Sequence, residues 1–334
     1  MHPTSFSCMN TFLSIYIPTF KRVQQLSTLL SLLDKEIDIL LTGCSSKSCS
    51  LEVVISSSFP PDYDVIINLL QDLNHKNLFR AIAPQNIVSG SVNVVAGSSL
   101  CNGKYVWILC DDDIPKKGGL ATLADILCSF AVPPTLLYLE PDFLLPDLDS
   151  GEYINENGYQ SDYIYSAYSN SMVTQDVQGY AISEMSDEWL NGNVQDLLRA
   201  SSIVFSRLET HHYWLSSVRD TYVTPLALAL DAFRKGDSYI IKDKIYFYVE
   251  VCLNKKSWSD KWPIINHLES CPLVIDFLRY NNIHPNKRYF SLSRGECRSL
   301  FISILRNPRY IFKMRSLRQV AKFVLSSLPF PFPR

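Results

Sequence analysis

The sequence lacks the features of several protein classes. None of its apolar runs reaches the length of a membrane-spanning helix, about 18 residues, so we expect no transmembrane segment. The segment 1–10 is polar, and Lys21 and Arg22 follow the first apolar run instead of preceding it, so we expect no secretory signal. The nine cysteines include no Cys-x-x-Cys pair. That pattern argues against a zinc site or a disulfide framework and favours reduced thiols in a cytoplasmic protein.

A strong charge of one sign is also missing. Lys and Arg total 31 against 33 for Asp and Glu, a formal net charge of −2, so the whole chain is not a nucleic-acid polycation. Hydrophobic residues make up 47% and charged residues 19%, which is the balance of a globular protein. With 334 residues, the chain can form an α/β domain of about 200 residues and an appendage.

The first half of the chain alternates strand and helix patterns. Apolar runs typical of strands occur at 13–17, 51–55 and 104–110, and leucines recur at helical spacing in 23–33 and 65–73. Strands that alternate with helices form βαβ units. We therefore predict an α/β fold of the Rossmann-like kind, with a mostly parallel sheet flanked by helices.

The second half has a different pattern. From Asp142 to Asn193 the chain is polar with few periodic apolar positions, so we expect a long functional loop or lid without regular elements. A strand at 200–205, a helix at 222–235, and a strand pair formed by 239–241 and 244–251 are predicted to follow. The remaining residues have helical patterns only.

Three consecutive aspartates, Asp111, Asp112 and Asp113, follow the strand at 104–110. They stand at the carboxyl end of a strand, where ligands bind in parallel sheets. Alternation places Asp111 and Asp113 on one side, and close carboxylates repel one another unless a cation is present. A divalent hard cation bound together with a diphosphate removes that repulsion. The alternative is a solvated Asp-rich turn that caps a helix.

Four motifs in order resemble family 2 glycosyltransferases of the GT-A fold. They are Leu13-Ser-Ile-Tyr-Ile-Pro-Thr-Phe-Lys-Arg22, Leu51-Glu-Val-Val-Ile-Ser56, Gly103-Lys-Tyr-Val-Trp-Ile-Leu-Cys-Asp-Asp-Asp113 and Ala200-Ser-Ser-Ile-Val-Phe-Ser-Arg207. The last motif, with Lys235-Gly-Asp-Ser-Tyr-Ile-Ile241, is similar to the abequosyltransferase-like branch, which builds surface polysaccharides such as O-antigen.

The resemblance implies a domain organisation. A glycosyltransferase domain is implied for 11–250, with a nucleotide-sugar part at 11–130 and an acceptor part at 140–250. A helical, basic C-terminal extension is implied for 251–334.

The resemblance also implies roles for individual residues. Contacts with the nucleotide sugar are implied for Pro18, Thr19, Arg22, Asn93, Asp111 and Asp112. Asp113, which ends the acidic motif, is implied to hold Mg²⁺ or Mn²⁺. Ser57 stands where the family has a base-reading aspartate, so the sequence leaves the identity of the base open.

The general base departs from the family pattern. The family opens its acceptor helix on a Glu-Asp pair whose Asp is the base, whereas this chain has Arg219-Asp220 there. Asp220 is therefore the candidate catalytic residue, and its alternative role is that of a carboxylate at a helix N-terminus. His211 and His212 either join the metal or the base, or are surface or packing residues.

Two further segments have alternative interpretations. The Tyr-rich segment Tyr153–Tyr168 provides either a sugar-stacking wall or ordinary packing. The segment 298–334 has many basic residues and no Asp or Glu, which is typical of a helix on an anionic membrane surface. RNA binding or docking on the protein core are the alternatives for this segment, and the missing recognition motif disfavours nucleic acid.

Together, these features predict a metal-dependent, inverting glycosyltransferase. Its partners would be a nucleotide-diphosphate sugar donor and a saccharide or lipid-linked acceptor, in the cytoplasm at the inner face of the plasma membrane. Because of Ser57 and the missing Glu-Asp pair, a catalytically silent module that binds glycans or partners is the first alternative function. A nucleotidyltransferase is the second alternative, and the lack of a Gly-rich phosphate loop argues against it.

Overall fold

The computed structural model describes residues 11–43, 50–82, 90–144, 161–173, 179–193, 196–197, 199–207 and 224–249. The strands are β1 (Leu13–Thr19), β2 (Leu51–Ser57), β3 (Phe79–Ile82), β4 (Tyr105–Ile108), β5 (Ile114–Pro115), β6 (Leu136–Leu139), β7 (Asp142–Leu144), β8 (Ile182–Glu184), β9 (Ile203–Ser206), β10 (Ser238–Ile241) and β11 (Tyr246–Val249). The α-helices are α1 (Val23–Gly43), α2 (Tyr63–Gln71), α3 (Gly90–Ser99), α4 (Gly119–Ser129), α5 (Ser161–Asn170), α6 (Asp187–Asn193) and α7 (Thr224–Phe233). Short 3₁₀-helices lie at Pro60–Asp62, Lys76–Leu78 and Ala200–Ser202.

The large sheet has the strand order β3-β2-β1-β4-β9-β6-β10-β8. The pairs β3–β2, β2–β1, β1–β4 and β6–β10 are parallel, whereas β9 runs antiparallel to both β4 and β6, and β8 runs antiparallel to β10. Because β1, β2 and β4 are parallel neighbours, their carboxyl ends meet at one edge of the sheet. The predicted α/β class with a mostly parallel, helix-flanked sheet is confirmed.

Helices cover both faces of β1, which explains its apolar run. Ile15 and Ile17 belong to the core cluster that contains the leucines of α1, whereas Tyr16 points to the other face and donates to the carbonyl oxygen of Asn93 in α3 at 2.6 Å. Gly97 of α3 permits this approach, because a Cβ there would overlap the Tyr16 ring.

A second, three-stranded sheet has the order β5-β11-β7. β5 begins directly after the acidic triplet. Its pairing with β11 therefore brings the last described strand close to the triplet. β11 pairs antiparallel with β5 and parallel with β7.

Two sequence-based expectations are wrong. The segment from Asp142 to Asn193 contains β7, α5, β8 and α6 among its described residues. These elements are short and polar, and α5 buries only Ile164 and Tyr168. The sequence of the segment therefore has no clear helical or strand periodicity of apolar residues. The strand pair expected at the end does not form, because β10 joins the large sheet and β11 the small one.

The described residues fall into two compact units. The larger contains every α-helix and strand named above except α6, which belongs to the smaller. Within the described ranges, no helix is both long and apolar enough to cross a bilayer. The predicted extension at 251–334 lies outside the described residues.

Candidate metal and nucleotide site

The acidic triplet lies in a turn at the carboxyl end of β4. The backbone N–H of Asp113 donates to the carbonyl oxygen of Cys110 at 3.1 Å, which closes a turn with Asp111 and Asp112 at its centre. The N–H of Leu109 still donates to the carbonyl oxygen of Tyr16 in β1 at 2.9 Å. The turn is thereby fixed beside the loop that follows β1.

Asp111 is buried against that loop. Its Oδ2 accepts a hydrogen bond from Thr19 Oγ1 at 2.6 Å, and its Oδ1 accepts one from Arg22 Nη1 at 3.0 Å. The pKa of Asp111 is raised to about 6, mainly by burial and then by the charge of Asp112, against the opposing effect of Arg22. Two of the residues predicted to contact the nucleotide, Thr19 and Arg22, are therefore in direct contact with the triplet.

Arg22 joins the first two carboxylates. The same Nη1 lies 2.6 Å from Asp112 Oδ2, and the charge of Asp112 is the main cause that raises the pKa of Arg22. The side chain of Arg22 is 40% exposed and that of Asp112 is 24% exposed, so both reach solvent. Asp111 and Asp112 thus share the guanidinium of Arg22. Strand alternation would place Asp112 opposite both its neighbours. That expectation is wrong, because the three residues form a turn instead of a strand.

Asp113 faces a different part of the chain. It is only 2% exposed, and its Oδ2 accepts a hydrogen bond from Ser201 Oγ at 2.5 Å while its Oδ1 accepts one from the N–H of Val249 at 3.0 Å. Burial raises the pKa of Asp113 well above its ordinary value, with a further increase from Asp112. A cation beside this carboxylate would offset both effects.

The residues present fit a divalent metal ion. Ligand atoms of Cys110, Asp112 and Asp113 lie within 4.8 Å of one another. Carboxylate oxygens are the ligands that Mg²⁺ and Mn²⁺ prefer. Burial raises the pKa of the Cys110 thiol well above its usual range, so this soft group stays protonated and is a poor ligand for a hard ion. The two carboxylates are the ligands that the donor set supports.

Ser57 lies at the carboxyl end of β2, opposite Thr19 of β1. Its Oγ accepts from the N–H of Phe59 at 3.0 Å and lies 3.2 Å from Asp62 Oδ2. The same Asp62 oxygen accepts the N–H of Lys21 at 3.0 Å, so Ser57 and Asp62 connect the loops after β1 and β2. A contact between Ser57 and a base stays a prediction.

Asn93 holds α3 against the sheet. Its Oδ1 accepts from Ser56 Oγ at 2.6 Å, its Nδ2 donates to the carbonyl oxygen of Ser56 at 2.8 Å, and the residue is buried. Pro18 is half-buried in β1, opposite Ser56 of β2. Donor contacts of Asn93 and Pro18 stay predictions.

The fold is similar to those of solved structures. Mannosyltransferase PcManGT from Pyrobaculum calidifontis, solved with GDP-Man and Mn²⁺, matches 94% of this chain and 79% of its own, at 11% identity and a TM-score of 0.52. The chain shares the fold of this mannosyltransferase. At such low identity, the likeness concerns the fold alone.

Two matches to S. aureus TarS have lower TM-scores. One covers 85% of this chain at 13% identity and a TM-score of 0.48, and this chain spans 46% of that longer TarS chain. The TarS fragment 1–349 in complex with UDP-GlcNAc matches 95% of this chain and 79% of its own, at 12% identity and a TM-score of 0.48. No protein-family model matches the chain, and no curated protein sequence matches it.

Several predicted site residues lie outside the described residues. These are the candidate base Asp220, the histidines His211 and His212, and the basic segment 298–334. Within the Tyr-rich segment, the described Tyr168 is buried and its hydroxyl donates to Glu36 Oε1 at 2.8 Å, so Tyr168 is a packing residue.

Ser201 and Val249 are two residues of the described site that the sequence did not predict. Ser201 accepts the N–H of Cys110 at 2.9 Å while donating to Asp113, so it holds both ends of the acidic turn. The motif beginning at Ala200 contains Ser201, but nothing in its spacing indicates a partner at Asp113. Val249 contributes only a backbone N–H, for which side-chain patterns carry no signal.

Proposed function

We propose that this chain is a metal-dependent GT-A glycosyltransferase that transfers a sugar from a nucleotide-diphosphate donor to a saccharide or lipid-linked acceptor. The observation that carries the proposal is the acidic turn. Three carboxylates crowd at the carboxyl end of β4, and burial raises the pKa values of Asp111 and Asp113, in Asp111 despite the opposing charge of Arg22. Such a cluster suits a divalent cation and the diphosphate that it would bind.

The fold supports the same proposal. PcManGT, whose structure contains GDP-Man and Mn²⁺, has a similar fold at a TM-score of 0.52. A nucleotide-sugar donor and Mn²⁺ or Mg²⁺ are therefore proposed for this chain too.

Arg22 is proposed to bind the donor diphosphate. Its Nη1 makes both carboxylate contacts, and within the described part of the chain its Nε and Nη2 have no hydrogen-bond partner. Because the side chain is 40% exposed, these N–H groups can donate to phosphate oxygens. The metal, bound by Asp112 and Asp113, would supply further positive charge to the leaving diphosphate.

The proposed reaction is an inverting displacement. The acceptor hydroxyl oxygen bonds to the anomeric carbon of the donor sugar, and the bond from that carbon to the diphosphate oxygen breaks with its electron pair leaving on the diphosphate. The hydroxyl proton passes to a general base, the role proposed for Asp220. Ser57, Asn93 and Pro18 are proposed to contact the nucleotide.

The proposal also includes a cellular role, a domain range and a membrane attachment. They are a role in surface-polysaccharide synthesis as in the abequosyltransferase-like branch, a domain at 11–250, and a basic extension at 251–334 that attaches to the inner face of the plasma membrane.

A thermal-shift panel tests the proposal. UDP, GDP and CDP, each with and without Mn²⁺, and then the corresponding nucleotide sugars are added to the full chain. A ligand that binds only the folded protein raises the melting temperature. We expect at least one diphosphate to stabilise the protein only with Mn²⁺, and slow Mn²⁺-dependent hydrolysis of its nucleotide sugar. Binding without hydrolysis would favour the silent module, and the absence of any shift would refute the donor site.

A further inference from the structure

Two aromatic side chains form one small surface on the three-stranded sheet. Phe143 of β7 and Tyr248 of β11 are register partners, and their ring centroids lie 5.8 Å apart in an edge-to-face arrangement with an interplanar angle of 65°. Phe143 is 47% exposed. Part of an aromatic face is therefore available to a ligand.

Arg199 completes this surface. Its Cζ lies 5.2 Å from the centroid of Phe143 and 5.7 Å from that of Tyr248, within cation–π distance of both rings. Its Nη1 also forms an ion pair with Asp196 Oδ1 at 2.8 Å. We call Phe143, Tyr248, Arg199 and Asp196 the aromatic platform. Because the two charges of the platform cancel, it suits an uncharged ligand.

The platform adjoins the last carboxylate of the triplet. Tyr248 directly precedes Val249, whose N–H donates to Asp113 Oδ1 at 3.0 Å. The pKa of Tyr248 is raised to about 12, mainly by burial and then by the charges of Asp113 and Asp112. The phenol is therefore within electrostatic reach of the proposed metal site.

The triplet separates the platform from the side proposed for the nucleotide. Asp111 contacts Thr19 and Arg22, whereas Asp113 contacts Ser201 and Val249. A base or ribose placed on the Arg22 side leaves the platform free for the second substrate.

We propose that the aromatic platform binds an uncharged sugar ring of the acceptor. The C–H face of the ring would pack on Phe143, while Arg199 N–H groups and Asp196 oxygens bind its hydroxyls. This combination of one aromatic face and a few fixed polar groups suits a small amphipathic ligand. The inference rests on the proposed function, since the nearby carboxylates are taken as the transfer site.

Saturation-transfer NMR on the full chain tests the platform. The probes are the methyl glycosides of glucose, galactose, mannose, rhamnose and N-acetylglucosamine. We expect at least one to bind the wild-type protein, and Phe143→Ala to weaken that binding about tenfold, which corresponds to about 1.4 kcal/mol. Phe143→Tyr, which keeps the ring, should restore binding.

Phe20→Ala is the matched control, because Phe20 is 46% exposed and lies beside Lys21 and Arg22 on the other side of the triplet. It should leave methyl-glycoside binding unchanged. Wild-type protein that binds none of the probes, or equal weakening by Phe143→Ala and Phe20→Ala, would overturn the platform.

The thermal shift with nucleotide and Mn²⁺ is measured on the same variants. A retained shift in Phe143→Ala shows that the variant is folded and that its donor site is intact. If wild-type protein shows no nucleotide shift but binds a glycoside through Phe143, the donor assignment fails while the platform stands.

Discussion

The hydroxyl of Ser201 donates to Asp113 Oδ2 at 2.5 Å, across 88 positions of the chain. The same oxygen of Ser201 accepts the N–H of Cys110 at 2.9 Å, and the indole N–H of Trp107 donates to the Ser201 carbonyl oxygen at 2.8 Å. Ser201 is fully buried. The orientation of the proposed metal ligand is therefore set by a second segment, the 3₁₀-helix Ala200–Ser202 before β9, and not by the turn alone.

Replacing Ser201 with alanine tests this positioning role. We expect Ser201→Ala to weaken Mn²⁺ binding about tenfold, because groups that orient a metal ligand contribute on that scale. Mn²⁺ affinity is measured by electron paramagnetic resonance of the free ion. Ser201→Thr, which keeps the hydroxyl, is the conservative control. Equal Mn²⁺ affinity in the wild type and Ser201→Ala would show that Ser201 serves only the packing of the turn.

Asp113→Asn tests the proposed metal ligand itself. An amide is a much weaker ligand than a carboxylate for a hard cation. We expect the variant to lose the Mn²⁺-dependent thermal shift and all measurable turnover, while its melting temperature without metal stays the same or rises because a buried charge is removed.

Asp64→Asn is the control for Asp113→Asn, since Asp64 is an exposed carboxylate in the first turn of α2. It should behave as the wild type in both measurements. Transfer by Asp113→Asn with an unaltered response to a Mn²⁺ titration would contradict the metal assignment.

Local sequence patterns predict the acidic residues that follow β4. They do not predict the contacts that form when distant segments of the chain pair. β1, β2 and β4 are apolar runs bounded by polar or turn residues, so both their existence and their common edge follow from local patterns. Asp111, Asp112 and Asp113 stand at that edge for the same reason. Ser201 reaches Asp113 only because β9 inserts antiparallel next to β4, a pairing that no local period encodes.

The same distinction applies to the aromatic platform proposed for the acceptor. Phe143 and Tyr248 are brought together by pairing between β7 and β11, whose short strands are far apart in the chain. The Tyr-rich segment, for which the sequence left a sugar-stacking wall and ordinary packing as alternatives, places Tyr168 against Glu36 instead. Composition alone does not distinguish a buried tyrosine from an exposed ring beside the site.

We expect the stability of the fold to depend on pH through the buried carboxyl group of Glu36. Its Oε1 accepts from the N–H of Gly118 and the hydroxyl of Tyr168, and its Oε2 accepts from the N–H of Leu120. Burial nevertheless raises the pKa of this fully buried carboxyl, so the folded state favours its neutral form. The stability that Glu36 contributes is thus fully present below the ordinary glutamate pKa of about 4.3 and is lost as pH rises through the raised pKa.

Glu36→Gln isolates this effect, because glutamine does not titrate and keeps one carbonyl acceptor. The free energy of unfolding of the wild type relative to Glu36→Gln should decrease as pH rises from about 4.5 to 8. Urea denaturation of both proteins at several pH values measures the difference. A difference that is constant or grows in favour of the wild type would contradict the prediction.

Asp220 is proposed to be the general base. A base removes the proton of the acceptor hydroxyl and does not contact the nucleotide. Asp220→Asn should therefore lower turnover of the nucleotide sugar that gives the largest thermal shift by about 100-fold or more, while the Kd of the corresponding nucleotide diphosphate with Mn²⁺ changes little. Asp231→Asn is the matched control, since Asp231 of α7 pairs with Lys235, just beyond the end of that helix, at 2.6 Å and has no proposed catalytic role. A loss of less than about tenfold in Asp220→Asn is below the usual contribution of a general base and would leave Asp220 as a helix-start carboxylate.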